Sequence, residues 1–581
     1  LYPADDSRKE RVVVMQADQT AKSEPRPRRR NWLLPLAVTL VMLLLLTLPY
    51  WLGYATARPG TFFTGILMNP EDAQTYFAKM LQGYDGQWRY RIVFTAEPHD
   101  PIFLGGFYLA LGHLARLLGV SLPVVWHGAQ AVGLVALLWT TYGFVAHFVR
   151  TPRARTAAYL LAIFGSGLGW LLFLSGTPYW LDSFPVDFKM PEARLFFTAL
   201  TFPHIMFSTA LLLAGFWLLL QALHAPGRGT GQRFLLAGLA GLANLVMSIL
   251  HPLLIYLVVA VVSLYWLGLA LRARRILWLE GFLVATSLAV PALVYLYYAY
   301  ELATNAVLRG WDSQRESTQS PPWPHYLVAY GPLLLPALLL PWQRWRQRVR
   351  WSNGELFLWL WVMAVALLVY APLNSQRRFV QGVPVPLSIL AAWGLQQVVW
   401  PWLSTRPGFQ RLAARPRYSP AGLARFLTVV FLLFMALSNA YLWASITASA
   451  AIPALQPDLL FRPLAEQQAA NWLRQHTGRE DVIFGEYETG NYVAAQAGNR
   501  VVIGHWAETV NFAQKEADVA RFYQPATDDA WRRAFLQAQG VRYLWYGPRE
   551  QALGSFDPAT LPGLQPVYQA GDLTIYAVPA R

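Results

Sequence analysis

The sequence predicts an α-helical polytopic membrane protein, with about eleven transmembrane helices and a C-terminal α/β domain outside the membrane. Three observations favour this fold class. Of the 581 residues, 55% are hydrophobic and only 14% are charged, whereas soluble domains average about 25% charged residues. Apolar stretches long enough to cross a bilayer recur along the chain. After residue 457 the charge density becomes ordinary and short β-rich runs appear.

The composition excludes several classes of function. The chain contains no cysteine, so disulfides, cysteine-based zinc sites and thiol catalysis are absent. The formal net charge is +15, but the basic residues cluster in short segments between apolar runs. That distribution is typical of cytoplasmic loops. We therefore expect the lipid bilayer, and no nucleic acid, as a partner.

The first part of the chain predicts a tail and a retained first span. Residues 1–31 are polar and end in Arg26-Pro27-Arg28-Arg29-Arg30, which indicates a disordered basic cytoplasmic tail. No small-residue cleavage site follows the first apolar run, so it stays as a transmembrane helix. The predicted transmembrane domain covers 32–446, with spans at 32–53, 124–148, 156–175, 198–222, 233–250, 252–271, 277–299, 325–341, 355–372, 382–402 and 424–445.

The apolar stretch 102–119 is short for a span and contains His113 and Arg116. If it crossed the bilayer, every later basic loop would face outward. If it lies in the interface, all the basic loops share the side of the N-terminal tail, as the charge rule requires. We therefore expect an interfacial amphipathic helix within an outer loop at 54–123. This topology predicts a multi-pass protein of the cell membrane with a cytoplasmic N-terminus.

The tail at 457–581 is expected to be a soluble extracytoplasmic α/β domain. Runs rich in β-forming residues alternate there with helical stretches such as 528–539. The predicted strands are 481–484, 500–503, 541–546 and 573–578.

Two arginines lie where a membrane protein normally lacks them. Arg377 and Arg378 fall in a short turn at 373–381, on the face from which most other basic residues are missing. Charges held at the membrane surface against the usual asymmetry call for a compensating anion. We expect that anion to be the phosphate of a lipid carrier.

Acidic and histidine residues are predicted on the same outer face. Pro70 suits the first position of a helix, and Glu71 and Asp72 then fall in its first turn, where the helix dipole stabilises carboxylates. Taken singly, each polar residue is explained as well by helix capping or loop polarity. Repeated ionisable groups at one membrane face nevertheless indicate a site. The candidate substrate-binding residues are Arg377, Arg378, His99, Asp100, His204, His251, Asp182, Asp187 and Glu192.

Group transfer from a lipid phosphate fits these residue types. A glycosyl phosphate carries its own leaving group, so the protein needs one carboxylate to take a proton from the acceptor hydroxyl. It also needs fixed positive charge for the departing phosphate, which arginine supplies as a bidentate fork. Asp72 would supply the carboxylate, and Arg377 and Arg378 would supply the positive charge. A divalent metal ion stays open as a cofactor, with Asp72 and Asp182 as candidate ligands, although no HExxH-type pattern occurs.

On these motifs the chain resembles the GT-C superfamily of polytopic glycosyltransferases, which includes the protein O-mannosyltransferases and the aminoarabinose transferase. The matching features are Glu71-Asp72, His99-Asp100-Pro101, a second acidic loop, the arginine turn and the C-terminal domain. The resemblance implies a hexosyl- or pentosyltransferase that uses a polyprenyl-phosphate sugar donor with inversion. It also implies a catalytic aspartate at Asp72, with Glu71 as the competing residue. The acceptor, a lipid, glycan or protein, stays open.

Two motifs in the tail, Gly485–Glu488 and Gly504–Glu508, each follow a predicted strand and could face the acceptor. Plain loop polarity is the favoured interpretation of both. The main alternative function is a transporter or flippase for a lipid-linked or anionic substrate. Ion-coupled transporters place charges near the midplane of the bilayer, whereas the predicted spans are almost free of charge. A third alternative is a non-catalytic scaffold.

Overall fold

The computed structural model describes residues 32–224, 227–313 and 318–579. The basic tail expected at 1–31 lies outside the described residues. The described chain forms a bundle of long apolar helices and a smaller sheet domain at its C-terminal end.

The bundle confirms the polytopic membrane fold. Seven helices within the described ranges are long and apolar enough to cross a membrane, and an eighth span forms if two helices that meet at 45° count as one. The bent pair consists of Pro420–Met435 and Leu437–Ala451. The seven helices are Leu33–Ala55, Leu122–Phe148, Pro203–His224, Thr230–Leu250, Leu254–Ala273, Trp278–Thr304 and Pro324–Gln347.

The expected count of eleven spans is not confirmed. The stretches expected at 156–175, 355–372 and 382–402 contain shorter helices. These are Pro152–Phe164 with Gly169–Leu174, Asn353–Leu368, and Pro384–Gly394 continued by a π-helical turn at Leu395–Val399 and by Trp400–Ser404. Small residues let these helices pack closely: a Cβ on Gly394 would lie 1.8 Å from the carbonyl oxygen of Pro336.

The segment between the first two long helices contains two shorter helices. We call Pro70–Tyr84 the acidic helix. It packs against Gly106–Leu118, the helix that corresponds to the interfacial stretch expected at 102–119. Glycines allow this contact, because a Cβ on Gly83 would lie 2.1 Å from the Leu109 carbonyl oxygen and one on Gly112 would lie 1.9 Å from that of Met80.

The C-terminal domain is a five-stranded mixed sheet with helices. Three neighbouring strands run parallel, in the order Arg500–Val501, Val482–Phe484 and Val541–Tyr546. Leu573–Ala577 pairs antiparallel with Val541–Tyr546, and Gln565–Ala570 pairs antiparallel with Leu573–Ala577 at the edge. The edge strand Gln565–Ala570 has no counterpart among the expected strands, since its side chains are mostly exposed and include Pro566. The main helices are Leu464–His476, Tyr487–Gln496, Phe512–Phe522 and Asp529–Ala538.

The C-terminal domain and the acidic helix share one core. Ala78 of the acidic helix and Phe94 pack in the same buried cluster as Ile483 and Val493 of the domain. A second link is a two-stranded sheet, in which Thr61–Phe63 pairs antiparallel with Phe461–Pro463. The domain is therefore packed directly over the segment that carries Glu71 and Asp72.

Candidate functional site

A cavity of about 220 Å³ lies where the acidic helix, the helical bundle and the C-terminal domain meet. Its apolar lining comes largely from the Ile249–Leu253 turn and from Leu104, Phe107 and Trp506. Its polar and charged lining brings together residues that are far apart in the chain. They are Asp72, Thr75, Tyr76, Lys79, Tyr108, His204, His251, Thr318, Ser375, Arg378, His505 and Glu508.

Asp72 faces this cavity from the first turn of the acidic helix, which begins at Pro70. Its side chain is 42% exposed, so one part of the carboxylate is available to a ligand. His505 Nε2 lies 3.1 Å from Asp72 Oδ1. Burial opposes ionisation of Asp72, but the contact with His505 and the charges of Arg378 and Arg377 outweigh it, so the pKa of Asp72 is lowered.

Glu71, the competing candidate base, points elsewhere. It is not among the residues that line the cavity, and its Oε2 accepts a hydrogen bond of 3.0 Å from the Tyr487 hydroxyl in the C-terminal domain. Burial and the neighbouring charge of Glu71 raise the pKa of Glu488 to about 7. Of the two adjacent acids, Asp72 is the one that a ligand in the cavity would meet.

The arginine turn, Gln376–Val380, is a short 3₁₀ helix anchored by the residue that follows it. The Gln381 amide nitrogen donates to the hydroxyls of Ser208 and Thr209, both at 2.8 Å. Its amide oxygen lies 2.8 Å from His251 Nδ1. These contacts hold the turn against two long helices, so the positions of the arginines are set by a buried polar network.

Arg378 lines the cavity and also approaches a buried carboxylate. Its Nε lies 3.7 Å from Glu192 Oε1. Burial opposes the charge on Arg378, but Glu192, Tyr76 and Asp72 more than compensate and raise the pKa of this guanidinium. Arg377 is half-buried and does not line the cavity, although its charge contributes to the lowered pKa of Asp72.

His204 and His251 line the cavity from the ends of two long helices, and their rings lie 6.0 Å apart. His204 Nδ1 is 2.7 Å from the Tyr108 hydroxyl. Tyr108 in turn stacks on Tyr76 with ring centroids 4.3 Å apart. His204 and His251, which the sequence predicted to bind substrate, therefore form an aromatic and imidazole wall of the cavity.

Lys79 and Glu508 form a buried ion pair that the sequence analysis missed. Lys79 Nζ lies 2.8 Å from Glu508 Oε1, and the two side chains are 5% and 6% exposed. The Tyr90 hydroxyl donates to the other carboxylate oxygen at 2.6 Å. One signal was present: Asp72, Tyr76 and Lys79 share one face of the acidic helix, and a lysine buried there needs a carboxylate partner.

The Gly504–Glu508 motif therefore meets the acidic helix. His505 contacts Asp72, and Glu508 pairs with Lys79. The other tail motif, Gly485–Glu488, supplies Tyr487 to Glu71. Loop polarity, the favoured interpretation of the sequence, does not describe these contacts.

Asp187 and Asp182, two expected substrate-binding residues, lie in the segment 165–200 and do not line the cavity. Asp187 is fully buried and pairs with Arg194 at 2.9 Å. It also accepts hydrogen bonds from the Gly167 and Gly169 amides and the Ser438 hydroxyl. Asp182 is exposed and does not line the cavity. Neither is brought to Asp72.

His99 and Asp100 lie at a separate surface pocket with Arg91, Glu480 and Arg500. His99 Nε2 accepts from the Ile92 amide at 3.0 Å, and its Nδ1 lies 2.9 Å from the Glu97 carbonyl oxygen. Both ring nitrogens therefore stabilise the local chain. The structure does not bring His99 or Asp100 to the cavity.

The described residues show no assembled ligand group for the metal ion that the sequence left open. Across the described ranges, no group of three or more His, Asp or Glu side chains is placed to hold one. Asp72 faces His505, and Glu192 faces Arg378. The sequence left Asp72 and Asp182 open as metal ligands, and these two do not share a site.

Comparisons of the fold give a consistent result. Archaeal oligosaccharyltransferase AglB from Archaeoglobus fulgidus, solved with an inhibitory peptide and a dolichol phosphate, matches 95% of this chain and 74% of its own. The TM-score is 0.52 with 13% identity. The match to arabinofuranosyltransferase AftD from Mycobacteria covers 96% of this chain and 40% of the AftD chain, with a TM-score of 0.52 and 15% identity. The fold is that of the GT-C glycosyltransferases.

The GT-C fold confirms the resemblance drawn from the short sequence motifs. No protein-family model and no curated protein sequence matches the chain. At 13% and 15% identity the two structures share their architecture with this protein. A shared fold does not fix the reaction, which depends on the residues of the cavity.

Proposed function

We propose that this protein is a membrane glycosyltransferase that moves a sugar from a polyprenyl-phosphate donor to an acceptor hydroxyl, with inversion. The observation that carries the proposal is that Asp72 and Arg378 line one cavity. One supplies a carboxylate with a lowered pKa, and the other supplies a guanidinium with a raised pKa. These are the two halves that transfer from a glycosyl phosphate needs.

Asp72 acts as the general base in this proposal. Its lowered pKa keeps it ionised at neutral pH, and its partial exposure leaves room for an acceptor hydroxyl. A positioned general base contributes about 10²–10⁴-fold to a rate. Glu71 is engaged by Tyr487 and faces away from the cavity, so it is not assigned this role.

Arg378 holds the donor phosphate, and Arg377 adds positive charge beside it. A planar guanidinium forms two parallel hydrogen bonds to phosphate oxygens. Glu192 stabilises the ionised form of Arg378 before the donor arrives. The dolichol phosphate in the AglB structure supports a lipid phosphate as the ligand class of this fold.

The reaction balances without a further reactant. The acceptor oxygen attacks the anomeric carbon from the face opposite the phosphate, and its proton passes to Asp72. The bond between the anomeric carbon and the phosphate oxygen breaks with its electron pair, and polyprenyl phosphate leaves against Arg378. A single displacement of this kind inverts the anomeric centre. Fixed positive charge at the departing oxygen stabilises the transition state.

The proposed site lies on the extracytoplasmic side. The basic loop that follows Gln347 precedes the helix Asn353–Leu368, whose other end leads into the arginine turn. The positive-inside rule assigns such loops to the cytoplasm. This orientation supports an extracytoplasmic C-terminal domain and a donor that enters from the outer leaflet.

The test is a transfer assay with the purified protein in lipid nanodiscs. A panel of polyprenyl-phosphate monosaccharides is supplied, and release of free polyprenyl phosphate is measured. We expect the wild type to release it from at least one donor and Asp72→Asn to lose about 10²–10⁴-fold in rate. Asp572→Asn is the matched control, because Asp572 is exposed and does not line the cavity. Full activity of Asp72→Asn would overturn the proposal.

A further inference from the structure

The C-terminal domain reaches the candidate base through one side chain. His505 is 7% exposed, and its Nε2 lies 3.1 Å from Asp72 Oδ1. Its other nitrogen, Nδ1, lies 3.3 Å from the Ala507 backbone amide, which donates to it. A nitrogen that accepts a hydrogen bond carries no proton. In this arrangement Nε2 carries a proton and donates it to Asp72 Oδ1.

Several hydrogen bonds fix the loop that holds His505. The Thr509 hydroxyl donates to the Phe94 carbonyl oxygen at 2.7 Å and accepts from the Gly504 amide at 3.0 Å. The amides of Glu508 and Thr509 both donate to the His505 carbonyl oxygen at 2.9 Å. Each of these contacts limits movement of the imidazole, so the contact with Asp72 is set by the loop.

We propose that His505 is a positioning residue for Asp72, so that the C-terminal domain completes the site in the membrane domain. Nε2–H holds Oδ1 of Asp72, which leaves Oδ2 as the oxygen that takes the proton from the acceptor. This inference rests on the proposed function of Asp72 as the general base. It adds that the base is correctly oriented only when the C-terminal domain is docked.

Other charged or titratable groups lie around the cavity that Asp72 lines. They are Tyr76 and Lys79 on its own helix, Glu508 on the loop of His505, Arg377 and Arg378 on the arginine turn, and Glu192. His204 and His251 line the cavity from two long helices. Of these groups, only the two arginines act with His505 to favour the ionised form of Asp72, and Lys79 is paired with Glu508.

The experiment compares His505→Ala and His505→Gln with the wild type in the full-length protein. Glutamine keeps an N–H donor on a side chain of similar reach, whereas alanine removes it. We expect His505→Ala to lower kcat about tenfold at acid pH, with KM for the donor unchanged and the acid limb of the pH profile moved to higher pH. His505→Gln should restore most of kcat and the original limb. His476→Gln is the control, since His476 is exposed and contacts Trp472.

A second measurement does not depend on activity. The pH dependence of carbodiimide labelling at Asp72, followed by peptide mass spectrometry, reports protonation of the carboxylate directly. We expect its midpoint to rise in His505→Ala and to stay near the wild-type value in His505→Gln. An unchanged midpoint in His505→Ala would overturn the inference. If no donor is turned over by the wild type, the proposed function fails, and the labelling experiment still decides the contact.

Discussion

Arg378 Nε lies 3.7 Å from Glu192 Oε1, and the same arginine lines the cavity that contains Asp72. Both carboxylates help keep the guanidinium protonated. Glu192, expected from the sequence to bind substrate, thus contacts the arginine that would hold the phosphate. An anion that enters the cavity therefore meets a cation that is already oriented by a buried carboxylate.

Replacing Arg378 tests the phosphate contact. We expect Arg378→Ala to weaken binding of a polyprenyl phosphate and to lower transfer more than Arg378→Lys does, because lysine keeps the charge but loses the bidentate fork. Binding is measured by native mass spectrometry and transfer by release of polyprenyl phosphate. Arg116→Ala is the control, since Arg116 is exposed and does not line the cavity. Equal effects of all three substitutions would contradict the assignment.

The two adjacent acids are expected to behave differently. Glu71→Gln should transfer sugar at close to the wild-type rate, because Glu71 accepts a hydrogen bond from Tyr487 and glutamine also accepts there. Asp72→Asn removes the proton acceptor in the cavity. Steady-state kinetics of the two variants side by side decides between them. The reverse ranking would move the base to Glu71.

The buried Lys79–Glu508 pair is expected to stabilise docking of the C-terminal domain. Removing one partner leaves an uncompensated buried charge, which costs about 3–5 kcal/mol. Lys79→Met and Glu508→Gln should each lower the thermal midpoint, and the double variant should be more stable than either single one. Thermal unfolding in detergent measures all three. Additive losses in the double variant would show that the pair does not couple.

The raised pKa of Glu488 predicts a pH-dependent stability. Burial and the charge of Glu71 place this pKa at about 7, above the usual value for glutamate of about 4.3. The folded state therefore binds more protons than the unfolded state in that interval. Stability should fall as pH rises from about 4.3 to about 7 and stay lower above it. Glu488→Gln should remove this loss, as measured by melting temperature against pH.

Much of the fold and part of the site follow from sequence. Helix length and hydropathy indicated the bundle, and the arginine pair, Asp72, His204 and His251 were placed on one face by the charge rule alone. Asp187 was expected to bind substrate because it is an acid in an outer loop, whereas the structure pairs it with Arg194. The local sequence around an acid does not show whether its carboxylate forms a buried ion pair or binds substrate.

The sequence singled out the Gly504–Glu508 motif, but not the contacts of His505 and Glu508 with the acidic helix. Their contacts depend on how the C-terminal domain docks on the acidic helix, which no period or motif in either segment encodes. The edge strand Gln565–Ala570 was missed for a related reason: its side chains are largely exposed and their pairing with Leu573–Ala577 supplies its order. Contacts distant in sequence decide both features.

A cryo-EM map of the protein with a bound polyprenyl phosphate tests directly whether the phosphate binds between Arg378 and Asp72. The account predicts density for the phosphate in the cavity, within hydrogen-bond distance of the Arg378 guanidinium and on the same side as the Asp72 carboxylate. A lipid phosphate bound at a different place, with the cavity beside Asp72 and Arg378 filled only by water, would contradict it.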